Sequence, residues 1–204
     1  DIPDGFCMSG RGNLFKTEKR GLLPLLVEKY YADRVKAKQG MLEAEQQLEV
    51  YEGDRFGRYK LEKTIATLGN IQMAIKILMN SLYGAMSNEY FRYFDPRIAE
   101  SITLSGQLTI RWAEKAINEN LNLYLKTDNE DYVIAIDTDS LYVNLGPLVK
   151  RAGFDKFDKE QIAEKIDTQI VPDLEKILRK RYKALQEYMH APLNKMEMAR
   201  EIIA

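Results

Sequence analysis

Cysteine and histidine are almost absent: Cys7 and His190 are the only ones in 204 residues. One cysteine excludes an internal disulfide and fits a reducing compartment. With a single histidine beside it, neither a Cys/His zinc site nor a Ser-His-Asp triad can be assembled. Any metal must therefore be held by oxygen, which points to magnesium, manganese or calcium. Long apolar runs are missing too. No stretch approaches the ~20 residues a membrane helix needs, so no membrane partner is expected. No signal-peptide pattern is seen in the first residues, and a cytoplasmic setting is the expectation. The opening "DIPDGF" lacks an initiator methionine, which fits a processed chain or one excised from something longer. No internal repeat or low-complexity tract is present.

What remains is the composition of a globular domain, 45% hydrophobic and 30% charged. The net charge of −1 excludes only a wholly basic DNA-coating protein. Its distribution says more. Residues 11–76 hold 13 Lys/Arg against 9 Asp/Glu, whereas 77–204 hold 17 against 20. A mildly basic first third suits an anionic partner and the acidic remainder a cation. An ordinary solvated surface accounts for the same numbers.

Residues 1–21, rich in Gly and polar groups, read as irregular entry structure. Helix-favouring composition runs from Leu22 to about Tyr51, and "EGDRFGR" (52–58) reads as a turn. A second long helix, Tyr59 to Tyr83, carries Leu61, Ile65, Leu68, Ile71, Ile75, Leu78 and Leu82 at intervals of three or four. Together they predict an antiparallel helical hairpin. "YFRYF" suggests extended chain. Asp95 followed by Pro96 signals a helix start, and that helix is expected to reach Lys126. A β-hairpin at 131–145, helices near 158–169 and 172–189, and a final strand over 194–204 complete a mixed α/β region with a helical insertion.

Two carboxylates, Asp137 and Asp139, interrupt the apolar run "YVIAIDTDSLYV" (132–143). They share a strand face if the chain stays extended and crowd at the tip of a turn if it does not. A divalent cation relieves their repulsion; local Asx-turn bonding is the alternative. On the second helix Lys76, Asn80 and Tyr83 align at i, i+4 and i+7, ending at Gly84. On the first, Arg34 and Lys38 stand at i and i+4, a spacing that suits a phosphate clamp. A solvated helix face explains each cation taken singly. A cationic helix pair followed by an acidic hairpin is what nucleotidyl transfer needs: metal ions on the acidic side, triphosphate on the basic side.

"KILMNSLYG" resembles motif B of family B DNA polymerases, K-x-x-x-N-S-x-Y-G, and "DTDS" resembles their motif C, in the expected order. "NSLYGAMSNEYFRYFDPRIAESITLSGQ" and "YMHAPLNKMEMAREIIA" are similar to segments of the replicative enzymes of T-even-like bacteriophages. The resemblance implies an α/β fold: an α+β palm with an antiparallel β-hairpin and flanking helices, into which a long helical hairpin, the fingers, is inserted. Residues 1–21 would be an entry segment, 22–86 the fingers and 87–204 an incomplete palm. It implies that Arg34, Lys38 and Lys76 contact the dNTP triphosphate. Asn80 and Tyr83 would lie near the nascent base pair, with Gly84 allowing close approach. Asp139 would ligate two Mg2+ ions (Mn2+ substituting), Asp137 would act less directly, and Glu201 matches a palm carboxylate near the metals. Ala199 stands where the phage pattern has Asp, so the likeness does not extend to that acidic position.

Primer-template DNA and dNTP are the partners implied. Motif A, the exonuclease motifs and the thumb are not found in these residues. The expectation is therefore one part of a longer or split enzyme, inactive alone and completed by segments that carry them. Two other classes remain open: a non-catalytic nucleic-acid-binding module with the same fold, and an unrelated metal-binding domain whose helical hairpin is a dimerisation arm.

Overall fold

Two apolar periodicities and a pair of asparagines lay out the chain in its structure, a computed structural model that describes residues 1–203. It is helix-rich and mixed α/β, with two small antiparallel hairpins. Two compact units are formed: Glu18–Ala99, and Asp1–Thr17 together with Glu100–Ala204.

The first unit is built on α1 (Leu22–Glu49) and α2 (Arg55–Met86), packed antiparallel. The side chains turned inward on α2 are Leu61, Ile65, Leu68, Gln72, Ile75, Met79, Leu82 and Met86. Their spacing alternates four and three, the 3.5-residue seam of a coiled pair. The expected apolar face is corrected at two places: Ile71 and Leu78 are 43% and 46% exposed. Packing selects the 3.5-residue register, so Gln72 and Met79 occupy the seam instead. On α1 the matching line includes Leu23, Leu26, Tyr30, Ala37, Gly40 and Ala44. The turn is tighter than expected. α2 begins four residues before Tyr59 because Asp54 accepts from the Gly57 N–H at 2.9 Å and caps it. Tyr51 donates its hydroxyl to the same carboxylate at 3.2 Å.

"YFRYF" is not extended. Asn88 Oδ1 accepts from the Tyr90 N–H at 3.0 Å, and the Asn88 and Phe91 carbonyls accept from Phe91 and Phe94. Asparagine turn chemistry overrides the alternation of aromatics. Asp95 then starts α3 (Pro96–Leu125) as expected, accepting from the Arg97 N–H at 3.0 Å. The Arg97 guanidinium, bonded to the same carboxylate, holds Asp95 below its usual range.

In the second unit the body of α3 lies against the hairpin β3 (Val133–Asp137) and β4 (Ser140–Val143), and against α6 (Val171–Tyr188). Ala113, Ile117 and Leu121 of α3 meet Val133, Leu178 and Tyr182 in the core. α4 (Gly146–Arg151) adds Leu148, and α5 (Lys159–Lys165) leads through a π-helical segment, Ile166–Ile170, into α6. The two helices expected here are thus one continuous path. Pro172 sits in the first turn of α6, where its missing N–H is tolerated, and the wider π turn precedes it.

Two further expectations are corrected. Residues 1–21 contain a β-hairpin, β1 (Phe6–Met8) with β2 (Leu14–Lys16). It is tied to α3 by Ser9 Oγ and Asn13 Nδ2, both donating to Ser101 Oγ at 3.0 Å, and by the Gly10 N–H to Ser105 Oγ at 2.9 Å. The segment 194–203 forms no strand, and Ala204 lies outside the described residues. Met196, Met198 and Ile203 pack on the core, and Arg200 pairs with Asp167 at 2.7 Å. Side-chain anchoring replaces a ladder, which would need a strand partner.

Gly10 reveals how close that docking is: a Cβ there would lie 2.5 Å from the Leu104 carbonyl oxygen. Gly10→Ala is expected to destabilise the unit by about 1–3 kcal/mol. Urea denaturation would measure it, and an unchanged midpoint would contradict the close approach.

Candidate active site

The acidic residues sit at the tip of the β3–β4 hairpin. Asp137 pairs across with Ser140, which leaves a two-residue turn of Thr138 and Asp139. Of the two sequence alternatives, the crowded turn is therefore the one adopted. Thr138 has φ 52°, a left-handed conformation that a β-branched residue rarely takes. Its hydroxyl donates to Asp137 Oδ1 at 3.1 Å, and Ser140 Oγ donates to the Asp137 carbonyl at 3.1 Å. Asp139 makes no hydrogen bond or ion pair with any described residue. Both carboxylates are exposed.

The strand leading to them is less buried than its composition suggests. Val133 is inside, but Ile134 is 70% and Ile136 39% exposed. Helices cover only one face of this two-stranded sheet. A bulge between Val133 and Ala135 shifts the register.

As metal ligands, two oxygen-only side chains on one rigid turn suit a hard divalent cation in kind. They fall short in number: no group of three or more acidic, His or Cys side chains that could hold a metal occurs among the described residues. Glu201, exposed in the irregular final segment, does not join the two aspartates in such a group.

In the helical unit the sequence-predicted cations share one surface. Gly40 faces Leu68 and Gly69 faces Met41, with side-chain atoms 3.2 and 3.5 Å from where a glycine Cβ would stand. Seven residues back from Met41 is Arg34, and seven forward from Gly69 is Lys76. The two therefore stand level along the hairpin, with Lys38 about one turn away. Arg34 and Lys38 step off the seam in the same rotational sense as Lys76, Asn80 and Tyr83. Antiparallel packing brings that sense to the same surface of the pair.

Lys38, Lys76 and Asn80 are exposed, and Tyr83 is 37% exposed. No acid pairs with Arg34, Lys38 or Lys76 among the described residues. Nothing lies within 4 Å of a Cβ built on Gly84, so no contact inside the chain requires glycine there. Arg34 is half-buried, and its Nε is buried with no hydrogen-bond partner. Sequence reasoning found the charge of Arg34 but not this unsatisfied donor, since the burial of one atom of a side chain is set by packing.

The profile of DNA polymerase family B matches residues 5–185. The chain belongs to that family. It is 40% identical over 141 residues to the DNA-directed DNA polymerase of Enterobacteria phage T4, covering 68% of this chain and 16% of that protein. To the DNA-directed DNA polymerase of Escherichia phage RB69 it is 35% identical over 147 residues, 72% of this chain and 16% of the relative. To DNA polymerase II of Escherichia coli (strain K12) the figures are 28% over 162 residues, 69% and 19%. The chain thus spans less than a fifth of the length of these relatives.

A buried, unpaired donor costs about 1–3 kcal/mol. Arg34→Met keeps the stem length and removes that donor, so it is expected to raise the urea midpoint of the chain. A lowered midpoint would mean the guanidinium is satisfied in solution.

Proposed function

We propose that this chain is the fingers and central palm of a DNA-directed DNA polymerase, extending a primer 3′-hydroxyl with dNTPs on a DNA template. Residues 22–86 are read as the fingers, with 1–21 and 87–204 belonging to the palm. The observation that carries this is the unpaired cationic surface of Arg34, Lys38 and Lys76 on one hairpin, together with an unpartnered Asp139 on the acidic turn. Family membership supports it.

Asp139, and less directly Asp137, would hold Mg2+ or Mn2+ in its place, a pair of ions that would activate the attacking hydroxyl and stabilise the leaving pyrophosphate. The chain's own residues do the rest. Lys76 and Arg34, level with each other, take the triphosphate oxygens, and Lys38 extends the clamp by one turn. These contacts neutralise charge that grows as the α-phosphorus is attacked. The level pair suits adjacent phosphates. Asn80 and Tyr83 border the cations on the same surface, where the nascent base pair would rest, and Gly84 keeps that surface flat.

The reading includes inactivity of this chain by itself. Its two clustered carboxylates need the acidic ligand of motif A, and the enzyme needs its exonuclease and thumb segments, whether on the same or a separate polypeptide. A cytoplasmic setting goes with it.

The test uses the polymerase that contains this segment. Asp139→Asn is expected to lower nucleotide incorporation roughly a thousandfold, several kcal/mol of transition-state stabilisation, with primer-template binding kept. Lys76→Ala is expected to raise the dNTP concentration needed by about ten- to a hundredfold, the worth of a charged hydrogen bond, again with DNA binding kept. Unchanged synthesis in Asp139→Asn would favour the non-catalytic nucleic-acid-binding module. Equal losses of dNTP use and DNA binding in Lys76→Ala would remove its triphosphate role.

A further inference from the structure

Two asparagines of α3, Asn118 and Asn122, spend nearly all their hydrogen-bonding capacity on the few residues that precede the acidic hairpin. Asn118 Oδ1 accepts from the Tyr132 N–H at 2.9 Å and the Val133 N–H at 3.2 Å, while its Nδ2 donates to Asp131 Oδ1 at 2.8 Å. Asp131 Oδ1 also accepts from the Val133 N–H at 3.1 Å. One turn on, Asn122 Oδ1 accepts from the Glu130 N–H at 2.9 Å and from Thr127 Oγ1 at 2.8 Å. Its Nδ2 donates to the Glu130 carbonyl at 2.7 Å. A helix side chain thus takes the place of a neighbouring strand for Glu130, Tyr132 and Val133. Such dense use of two amides on one short segment exceeds what joining a helix to a strand requires.

The position of the bulge explains what it achieves. Val133 pairs with Val143 and Ala135 with Tyr142, so Ile134 is the extra residue. Ile134 is 70% exposed and has no side-chain packing to hold it there. Strand side chains alternate faces, so a bulge that slips by one residue turns the following side chains to the other side. Asp137 is among them, about 13 Å along the strand from Val133. Cross-strand pairing runs continuously after the bulge. Before it the strand is held on one edge by the Val133–Val143 pair and the Asn144 N–H to the Tyr132 carbonyl at 2.7 Å, and on the other edge by Asn118.

We infer that Asn118, oriented by Asp131, is a positioning residue for the carboxylate turn: it locks the strand on the near side of the bulge and so sets which way Asp137 and Asp139 face. Its connection to nucleotidyl transfer rests on the function proposed above. Asn122 secures the approach, and Asn118 holds the outer edge of the strand opposite the Asn144–Tyr132 bond to β4.

The test is an exchange of amide and acid. In the polymerase that contains this segment, Asn118→Leu removes the clasp, and Asn118→Asp sets two carboxylates against each other. Asn118→Asp combined with Asp131→Asn rebuilds the same bonds with the donor on the other side. Two readouts are taken: amide hydrogen exchange over residues 130–140, and single-turnover incorporation as a function of dNTP concentration.

Both single variants are expected to speed exchange beyond the bulge, at Asp137–Ser140. The maximal incorporation rate should fall about a hundredfold, the effect of an ångström-scale misplacement, with the dNTP concentration for half-maximal rate unchanged. The combined variant should restore protection and rate together. Exchange accelerated only at 130–133, with Asp137–Ser140 as protected as in the parent, would overturn the inference whatever the rate does. Exchange accelerated at the turn with an unaltered rate would leave the register lock standing and overturn its place in nucleotidyl transfer.

Discussion

A short strand with one face in water cannot hold its own place, and the bonds from α3 to the start of β3 supply what it lacks. A two-stranded sheet is marginal in isolation. Here one edge of its entry is satisfied by amide side chains, and one face by Ile117, Leu121, Leu178 and Tyr182. The Thr138–Asp139 turn takes its position from that anchorage. Its strained Thr138 backbone persists because the surrounding bonds over-determine it. Of the two carboxylates, Asp137 accepts one bond, from the Thr138 hydroxyl within the turn. They are exposed, alike in charge and adjacent, and the scaffold carries them.

The helical unit solves a related problem by different means. Three cations on one surface repel one another, and Arg34 gives up hydration at its Nε without a protein partner. The 3.5-residue seam between α1 and α2 tolerates this because its stabilisation comes from apolar contact and close approach at Gly40, Ala37 and Ala44. Small residues on α1 let large ones on α2 sit deep. Groups poised for a ligand are a cost to the free protein.

Much of this was legible beforehand. Asp95-Pro96 started a helix where it should, because capping is local chemistry. The two long helices lay near their expected bounds, since composition and period act over many residues. The acidic pair and the cationic stripe were visible by spacing alone. The β1–β2 hairpin was not: its three-residue strands are too short for a period, and its bonds go to serines some ninety positions away. Nor was the final segment, whose apolar residues meet a core and not a strand. Asn118 and Asn122 read as ordinary polar helix residues, since nothing in their neighbourhood names the strand they hold.

What the sequence alone determined is the set of groups available: oxygen ligands only, cations at helical spacing, caps, turns and the motifs that mark the family. Which of them meet was decided in three dimensions. The seam passed over Ile71 and Leu78 in favour of Gln72 and Met79, because two helices can share only one line of contact. The amides of α3 reached Tyr132 and Val133 because the chain reverses between them. Local propensity is set by neighbours in sequence, whereas register and satisfaction of polar groups are set by neighbours in space.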